Sequence, residues 1–182
     1  MKWIVLAIIV VLIVIVVVTY NGLIRSRNQV ENAWSQIDVQ LKRRIDLIPN
    51  LVETVKGYAA HEKETLDAVI KARNAAMAAP ADPHAQAAAD TQMTGALRQL
   101  FALSEAYPDL KANQNFLALQ EELSATEGRV AYARQFYNDS VLNYNNKLQA
   151  FPTVIFANIM KFTKREYFEA DEAAREVPKI GF

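Results

Sequence analysis

The histidines and their neighbouring carboxylates are the residues of this chain whose types could support chemistry. Residues 61–65 have the sequence HEKET, which is similar to the zinc-hydrolase pattern His-Glu-x-x-His. That pattern needs a second imidazole one helical turn after the first. Thr65 stands at that position, and the other histidine is His84. Zinc hydrolysis is therefore not expected, and His61 with Glu62 is typical of a solvated helix face.

Other catalytic and cofactor-binding patterns are also missing from the sequence. A carboxylate-bridged metal site needs a Glu three residues before each His, and Tyr58 and Ala81 stand there instead. The chain has no cysteine and no glycine-rich phosphate-binding loop. Twenty basic and twenty acidic residues balance, which argues against a nucleic-acid partner. We predict no enzyme activity, cofactor, metal or small-molecule substrate.

A dense cluster of charge and a proline occupies residues 42–49. Cations stabilise the last turn of a helix, an acidic residue suits the start of the next, and proline suits a first turn. The pattern predicts a helix corner built from five residues: Lys42, Arg43, Arg44, Asp46 and Pro49. A single kinked helix through the proline satisfies the same periodicity and stays open as the alternative.

The amino-terminal segment predicts a membrane anchor at residues 1–20. Sixteen consecutive apolar residues run from Trp3 to Val18, and the aromatic rings of Trp3 and Tyr20 bracket them at the expected interfaces. A cleaved signal peptide is disfavoured, because bulky residues stand where a small-residue cleavage site would be needed. Arg25 and Arg27 follow the span and Lys2 precedes it, so charge leaves the orientation undecided.

The remainder of the chain predicts an all-α fold. Apolar residues at alternating steps of three and four indicate helices at 21–45, 48–79, 83–107 and 111–150. The first of these is expected to continue the membrane helix, and Asp82 and Pro83 are expected to begin the third. Short connections favour an antiparallel up-down four-helix bundle, spanning residues 21–151.

The last segment, residues 152–182, predicts a short apolar helix and an extended tail near the membrane end of the bundle. Ile155 and Ile159 lie on one side of that helix. Two alternatives remain open: the helix caps the bundle, or it enters the membrane interface.

Tyrosine–asparagine pairs on the first and fourth helices predict a contact between them. Tyr20 with Asn21 opens the first helix, and Tyr137, Tyr144 and Asn145 share a face of the fourth. We expect the tyrosines to pack between these helices, with Tyr144 level with Tyr20, and the amides to satisfy nearby polar groups. Simple exposure of each asparagine is the alternative.

The outer face of the first helix is polar but almost uncharged, and it includes Asn28 and Asn32. Such a face favours pairing with another helix, so a homo-oligomer or a contact with another membrane protein is a hypothesis. A plain solvated face is the alternative.

Three long segments resemble the LemA family of bacterial membrane proteins: residues 20–66, beginning YNGLIRSRNQVENAW, residues 107–152, beginning YPDLKANQNF, and the ending YFEADEAAREVPKIGF. The resemblance implies one membrane helix, a helical bundle on the cytoplasmic side of the inner membrane, and no established catalytic residues. Relatives of that family occur among magnetosome-membrane proteins, which favours a scaffolding role. We therefore expect a non-enzymatic interaction or scaffold module that contacts the lipid bilayer, and a tethered signalling or stress-response module is the alternative.

Overall fold

The structure is a computed structural model that describes residues 1–169, and this part of the chain is helical without any strand. Six helices follow one another: α1 Lys2–Lys56, α2 Lys63–Ala78, α3 Pro83–Ser104, α4 Pro108–Lys111, α5 Gln114–Gln149 and α6 Thr153–Ile159. The apolar amino-terminal segment and the residues up to Lys56 form one continuous helix. The predicted all-α class is confirmed, and so is the continuity of the long apolar amino-terminal segment with the helix that follows it.

The chain divides into two compact units, and the long helices α1 and α5 contribute residues to both. Unit 1 comprises Met1–Gln36 and Ala133–Tyr167, and unit 2 comprises Ile37–Tyr132 together with Phe168 and Glu169. Each unit is described by itself.

Unit 1 is built on an antiparallel helix pair. The Nζ of Lys147 on α5 donates to the Oγ of Ser26 on α1 over 2.5 Å, and the rings of Trp34 and Tyr137 lie 5.5 Å apart. Residue numbers thus rise along α1 while they fall along α5. The unit buries aliphatic, alanine and tyrosine side chains: Leu23, Val30, Ala33, Ala133, Tyr137, Val141, Tyr144 and Leu148.

Unit 2 packs the end of α1, α2, α3 and the first half of α5 around an aliphatic core. Its buried residues come from every one of these segments and from the one-turn helix α4: Ile48, Leu51, Val55, Leu66, Val69, Met93, Leu97, Leu100, Leu110, Phe116 and Leu123. Two aromatic rings, those of Phe101 and Phe116, meet edge to face at 6.1 Å. Non-directional burial of apolar area is the main stabilising contribution here.

The predicted helix corner at residues 42–49 is wrong, because α1 continues through Pro49 and ends only at Lys56. Pro49 has no N–H, so the carbonyl of Ile45, four residues earlier, loses its usual intrahelical donor. The Nε of Arg73 on α2 donates to that carbonyl oxygen over 3.3 Å. A side chain from a neighbouring helix therefore supplies the donor that the proline lacks.

A buried stripe also crosses the proline at helical spacing: Leu41, Arg44, Ile48, Leu51, Val52 and Val55. Burial on both sides of Pro49 keeps the helix intact, because a turn there would expose part of this stripe. The chain reverses instead at residues 57–62, and α2 begins at Lys63 rather than at residue 48.

Other helix boundaries agree with the sequence or differ by a turn. The Asp82 carboxylate accepts from the backbone N–H of Ala85 at 2.9 Å, and Pro83 begins α3, which confirms the predicted start. Helix α3 ends at Ser104 rather than at residue 107, since Pro108 begins a separate turn. The predicted extended tail beyond Glu169 lies outside the described residues.

Candidate functional site

The end of the apolar span is the starting point of the candidate site, which lies entirely in unit 1. In residues 1–169, α1 is the one helix long and apolar enough to cross a membrane, and no residue of its apolar window is buried. Trp3 and Tyr20 are exposed at its two ends. The ring of Tyr20 meets that of Phe162 edge to face, with centroids 6.3 Å apart. The chain segment after α6 therefore lies at the level where the span ends.

The register between α1 and α5 differs from the predicted one. The Ser26–Lys147 hydrogen bond and the Trp34–Tyr137 contact place Tyr144 opposite the turn around residues 27–30, rather than level with Tyr20. Tyr144 is fully buried, whereas Tyr20 is exposed. The tyrosines thus do not form one layer: Tyr137 and Tyr144 are core residues and Tyr20 belongs to the end of the span.

Asn145 holds the segment that follows α6 against α5. Its Nδ2 donates to the carbonyl oxygen of Arg165 at 2.9 Å, and its Oδ1 accepts from the Arg165 N–H at 2.9 Å. The side chain is buried, so both halves of the amide are used where water cannot replace them freely. A single asparagine thereby fixes the position of an extended backbone segment. This agrees with the prediction that its amide satisfies nearby polar groups.

Tyr137 provides a second attachment for the same segment. Its hydroxyl donates to the carbonyl oxygen of Glu166 at 2.9 Å. Burial raises the pKa of the Tyr137 phenol above its ordinary value, while the nearby Arg165 guanidinium opposes that rise. Burial also raises the pKa of Tyr144. Both phenols therefore stay protonated, and the Tyr137 hydroxyl stays a donor, throughout the neutral pH range.

We expect that Asn145→Ala lowers the unfolding free energy of unit 1 by about 1.5 kcal/mol, since two hydrogen bonds are lost and the freed backbone is partly rehydrated. Fluorescence of Trp34, which contacts Tyr137 within this unit, can follow urea unfolding of the full chain in detergent. Asn146→Ala on the exposed side of α5 is the control. Equal midpoints for the two variants would contradict the role of Asn145.

The cations predicted at the membrane interface have different environments. Arg25 is exposed. Arg27 lies with its Nε 3.6 Å from a carboxylate oxygen of Glu31, which an Nη of Arg165 also approaches to 3.2 Å. Arg25 is thus exposed, whereas Arg27 belongs to an ion-pair cluster with Glu31 and Arg165.

The amides of α1 remain on its surface. Asn21, Asn28 and Asn32 are exposed, in contrast to Asn145 on α5. Gln29 and Gln36 are exposed beside them. We call Asn28, Gln29, Asn32 and Gln36 the amide face, and it leaves several donors and acceptors available to a partner.

The cations predicted at the helix corner are instead engaged along the middle of α1, in unit 2. Lys42 pairs with Asp38 at 2.7 Å, as its spacing of four residues predicted. Arg43 reaches Glu122 on α5 at 2.7 Å. Asp46 and Pro49 are exposed on the helix. The basic side chains of Lys42 and Arg43 therefore form ion pairs with carboxylates and do not serve as the end of a helix.

Arg44 is the most deeply buried charge described, with 2% of its surface exposed. An Nη lies 2.6 Å from Asp90 on α3, and the other lies 3.6 Å from Glu127 on α5. Beside Glu127 is a cavity of about 510 Å³ whose wall includes Leu97 and Phe101. The pair with Asp90 is therefore the closer and better shielded of the two.

The comparisons with known proteins identify the family. The family model described as the LemA family matches residues 33–182. The chain belongs to the LemA family. A protein named Protein LemA from Metamycoplasma hominis is 28% identical over 155 residues, covering 85% of this chain and 71% of that protein.

Further relatives carry a different name. The proteins named Magnetosome protein MamQ 2 of Paramagnetospirillum magneticum and Magnetosome protein MamQ of Magnetospirillum gryphiswaldense are each 25% identical over 186 residues. The alignments cover 88% of this chain and 68% of each relative. None of these names denotes an enzyme, and with the apolar helix they indicate a membrane-anchored protein.

The match to the LemA family begins at Ala33 and thus includes all of unit 2. Within unit 2 the two histidines stay apart from any metal-type cluster: His61 is exposed, and the Nδ1 of His84 lies 3.0 Å from the carbonyl oxygen of Glu169. Among residues 1–169, no group of three metal-ligating side chains is assembled. Glu62 accepts a hydrogen bond from Tyr107 at 2.7 Å, which raises the pKa of that phenol.

Two residues of this LemA-family chain gain roles that the sequence analysis missed. Arg73 donates to the carbonyl oxygen of Ile45, and Asp90 pairs with the buried Arg44. One signal was available: Arg44 lies three residues after Leu41 and four before Ile48, so it falls on the apolar stripe. A cation on a buried stripe requires a carboxylate on a facing helix.

Proposed function

We propose that this LemA-family chain is a single-pass protein of the bacterial inner membrane, with its helices on the cytoplasmic side. It acts as a non-enzymatic scaffold that self-associates through the amide face. The observation that carries the proposal is the exposure of this face on the very helix that enters the membrane.

The anchor makes pairing of two copies through α1 favourable. Copies held in one membrane place the same residues at the same height, so a two-fold axis normal to the bilayer brings equal positions together. Carboxamides suit such a contact, because each provides both donors and an acceptor and can pair with its own copy. Anchoring in a plane also raises the local concentration of copies.

The relatives support an organising role. Two of them are named as magnetosome proteins, and extending that association to this chain favours a role in membrane organisation over a metabolic reaction. The tether and the amide face fit such a role without needing a bound substrate.

Single cysteines test the proposal directly, because the natural chain has none. We expect Asn28→Cys and Asn32→Cys to give disulfide-linked dimers when bacterial membranes are oxidised. Asp139→Cys, exposed on α5, is the control and should stay monomeric. Equal crosslinking at all three positions, or none at any, would contradict pairing through the amide face.

The same control variant tests the orientation. A cytoplasmic bundle predicts that a membrane-impermeant maleimide labels Asp139→Cys only after the cells are opened. Labelling in intact cells, once the outer membrane is permeabilised, would place the helices on the opposite side.

A further inference from the structure

Helix α6 presents an apolar face that unit 1 leaves uncovered. Ile155 is 48% exposed and Ile159 is 72% exposed, and their spacing of four residues puts them on one side of the helix. Phe151 and Met160, at the two ends of α6, are also exposed. Ala157, which is two residues from each isoleucine and hence on the opposite side, is buried. The helix therefore rests on unit 1 through its small residue and turns its large residues outward.

The position of this face matches the membrane interface. Phe162 follows Ile159 by three residues, and its ring contacts Tyr20 at the end of the apolar span. The headgroup region occupies about 6 Å on each side of the hydrocarbon core. A helix held at the Tyr20 level thus lies where apolar side chains can enter lipid while backbone groups remain near water.

The charges around α6 fit an anionic lipid surface. Lys161 and Lys164 are exposed directly after the helix, and Arg25 is exposed just beyond the span. The carboxylate of Glu31 is engaged by Arg27 and Arg165, so it opposes these cations less. Apolar side chains flanked by lysines are the composition of an interfacial helix.

We propose that α6 lies in the membrane interface, where its apolar face forms a second lipid contact beside the span. This goes beyond the proposed self-association and does not depend on it. Of the two sequence-based alternatives, entry into the interface fits the exposed isoleucines better than capping, because a cap would bury them. A second copy of the chain is the competing occupant, and lipid is favoured because Phe162, three residues after Ile159, contacts Tyr20 at the end of the span.

The full chain in vesicles provides the test. Ile159→Cys, labelled with an environment-sensitive fluorophore, is compared with Leu142→Cys in vesicles of phosphatidylcholine and phosphatidylglycerol. Leu142 is 46% exposed and also in unit 1. By the register of α1 with α5 it lies about 16 Å beyond Tyr20 along the helix axis. It is therefore matched in character but outside the headgroup region.

We expect the fluorophore at position 159 to emit at shorter wavelength and to be quenched by lipids that carry a spin label near the headgroup. The fluorophore at position 142 should show neither the shift nor the quenching. A blue shift without quenching would mean that protein covers α6, and equal behaviour of both labels would mean that water does. Either result overturns the proposal.

In a second experiment, the double variant Ile155→Lys with Ile159→Lys should abolish quenching of a label at Phe151→Cys. Retained quenching would contradict the proposal.

Discussion

Replacing Arg44 with methionine is expected to lower the unfolding free energy of unit 2 by about 3 kcal/mol. The substitution removes the guanidinium that lies 2.6 Å from the carboxylate of Asp90, a side chain that is buried for most of its surface. Removing one member of a buried pair costs more than the pair contributes, because the remaining charge keeps its desolvation cost. Breaking a buried ion pair usually costs about 3–5 kcal/mol. Because Asp90 and Glu127 are partly exposed, we expect a value at the low end of that range.

Arg43 offers a matched control on the same turn of α1. It also pairs with a carboxylate of α5, but its side chain is 53% exposed. Arg43→Met is therefore expected to cost less than about 1 kcal/mol. Amide hydrogen exchange of peptides between residues 37 and 132, measured on the full chain in detergent, compares both variants with the parent. Arg44→Met should speed exchange of the slowest core amides about a hundredfold.

A partner substitution shows whether the buried charge is the cause. Arg44→Met combined with Asp90→Leu removes both charges and should recover a large part of the lost stability. If the double variant is as unstable as the sum of the single variants, the loss at Arg44 reflects packing rather than the broken charge pair with Asp90.

The second large effect is expected at the proline in α1. Arg73→Met should lower the unfolding free energy of unit 2 by about 2 kcal/mol, because the Ile45 carbonyl then has neither an intrahelical donor nor the guanidinium. Pro49→Ala supplies an N–H four residues after that carbonyl. In the Pro49→Ala background, the cost of Arg73→Met should therefore fall below about 1 kcal/mol.

Amide hydrogen exchange of the peptides between residues 37 and 132 measures this double-mutant cycle. Lys71→Met is the control, since Lys71 is an exposed cation on the same helix, two residues before Arg73. Additive effects of Pro49→Ala and Arg73→Met would show that the two residues are not coupled. Pro49→Ala alone should stabilise unit 2, because alanine favours a helix interior and proline does not.

These two sites also mark where prediction from sequence ended. Residues 42–49 contain cations followed by a proline, which locally is the pattern of a helix ending. The donor that lets α1 continue comes from Arg73, twenty-eight positions after Ile45. A residue so distant in the chain does not appear in any local sequence pattern. The local rules for helix ends therefore predicted a corner that the structure does not have. The core stripe through Ile48 and Leu51 favoured the continuous helix that had been left as the alternative.

In the candidate site of unit 1, local sequence patterns also predicted some features correctly and missed those that depend on contacts between helices. The spacing of Tyr137, Tyr144 and Asn145 predicted a shared face and a role for the amide, which bonds the Arg165 backbone. The level of Tyr144 along α1 was predicted wrongly. Helical periodicity shows which side chains share a face, whereas the offset between two helices depends on contacts such as that between Ser26 and Lys147.

Reading the amino-acid sequence alone was enough to predict the properties that depend on local chemistry: the apolar span, the helical class, the cap at Asp82 and the LemA-family match. Each follows from hydrophobicity, from residues one helical turn apart or from long matching runs. Four other properties became visible only in the folded chain: the length of α1, the partners of Arg44 and Arg73, the register of α5 and the outward face of α6. These depend on groups far apart in the chain, and only packing and the pairing of buried polar groups bring them together.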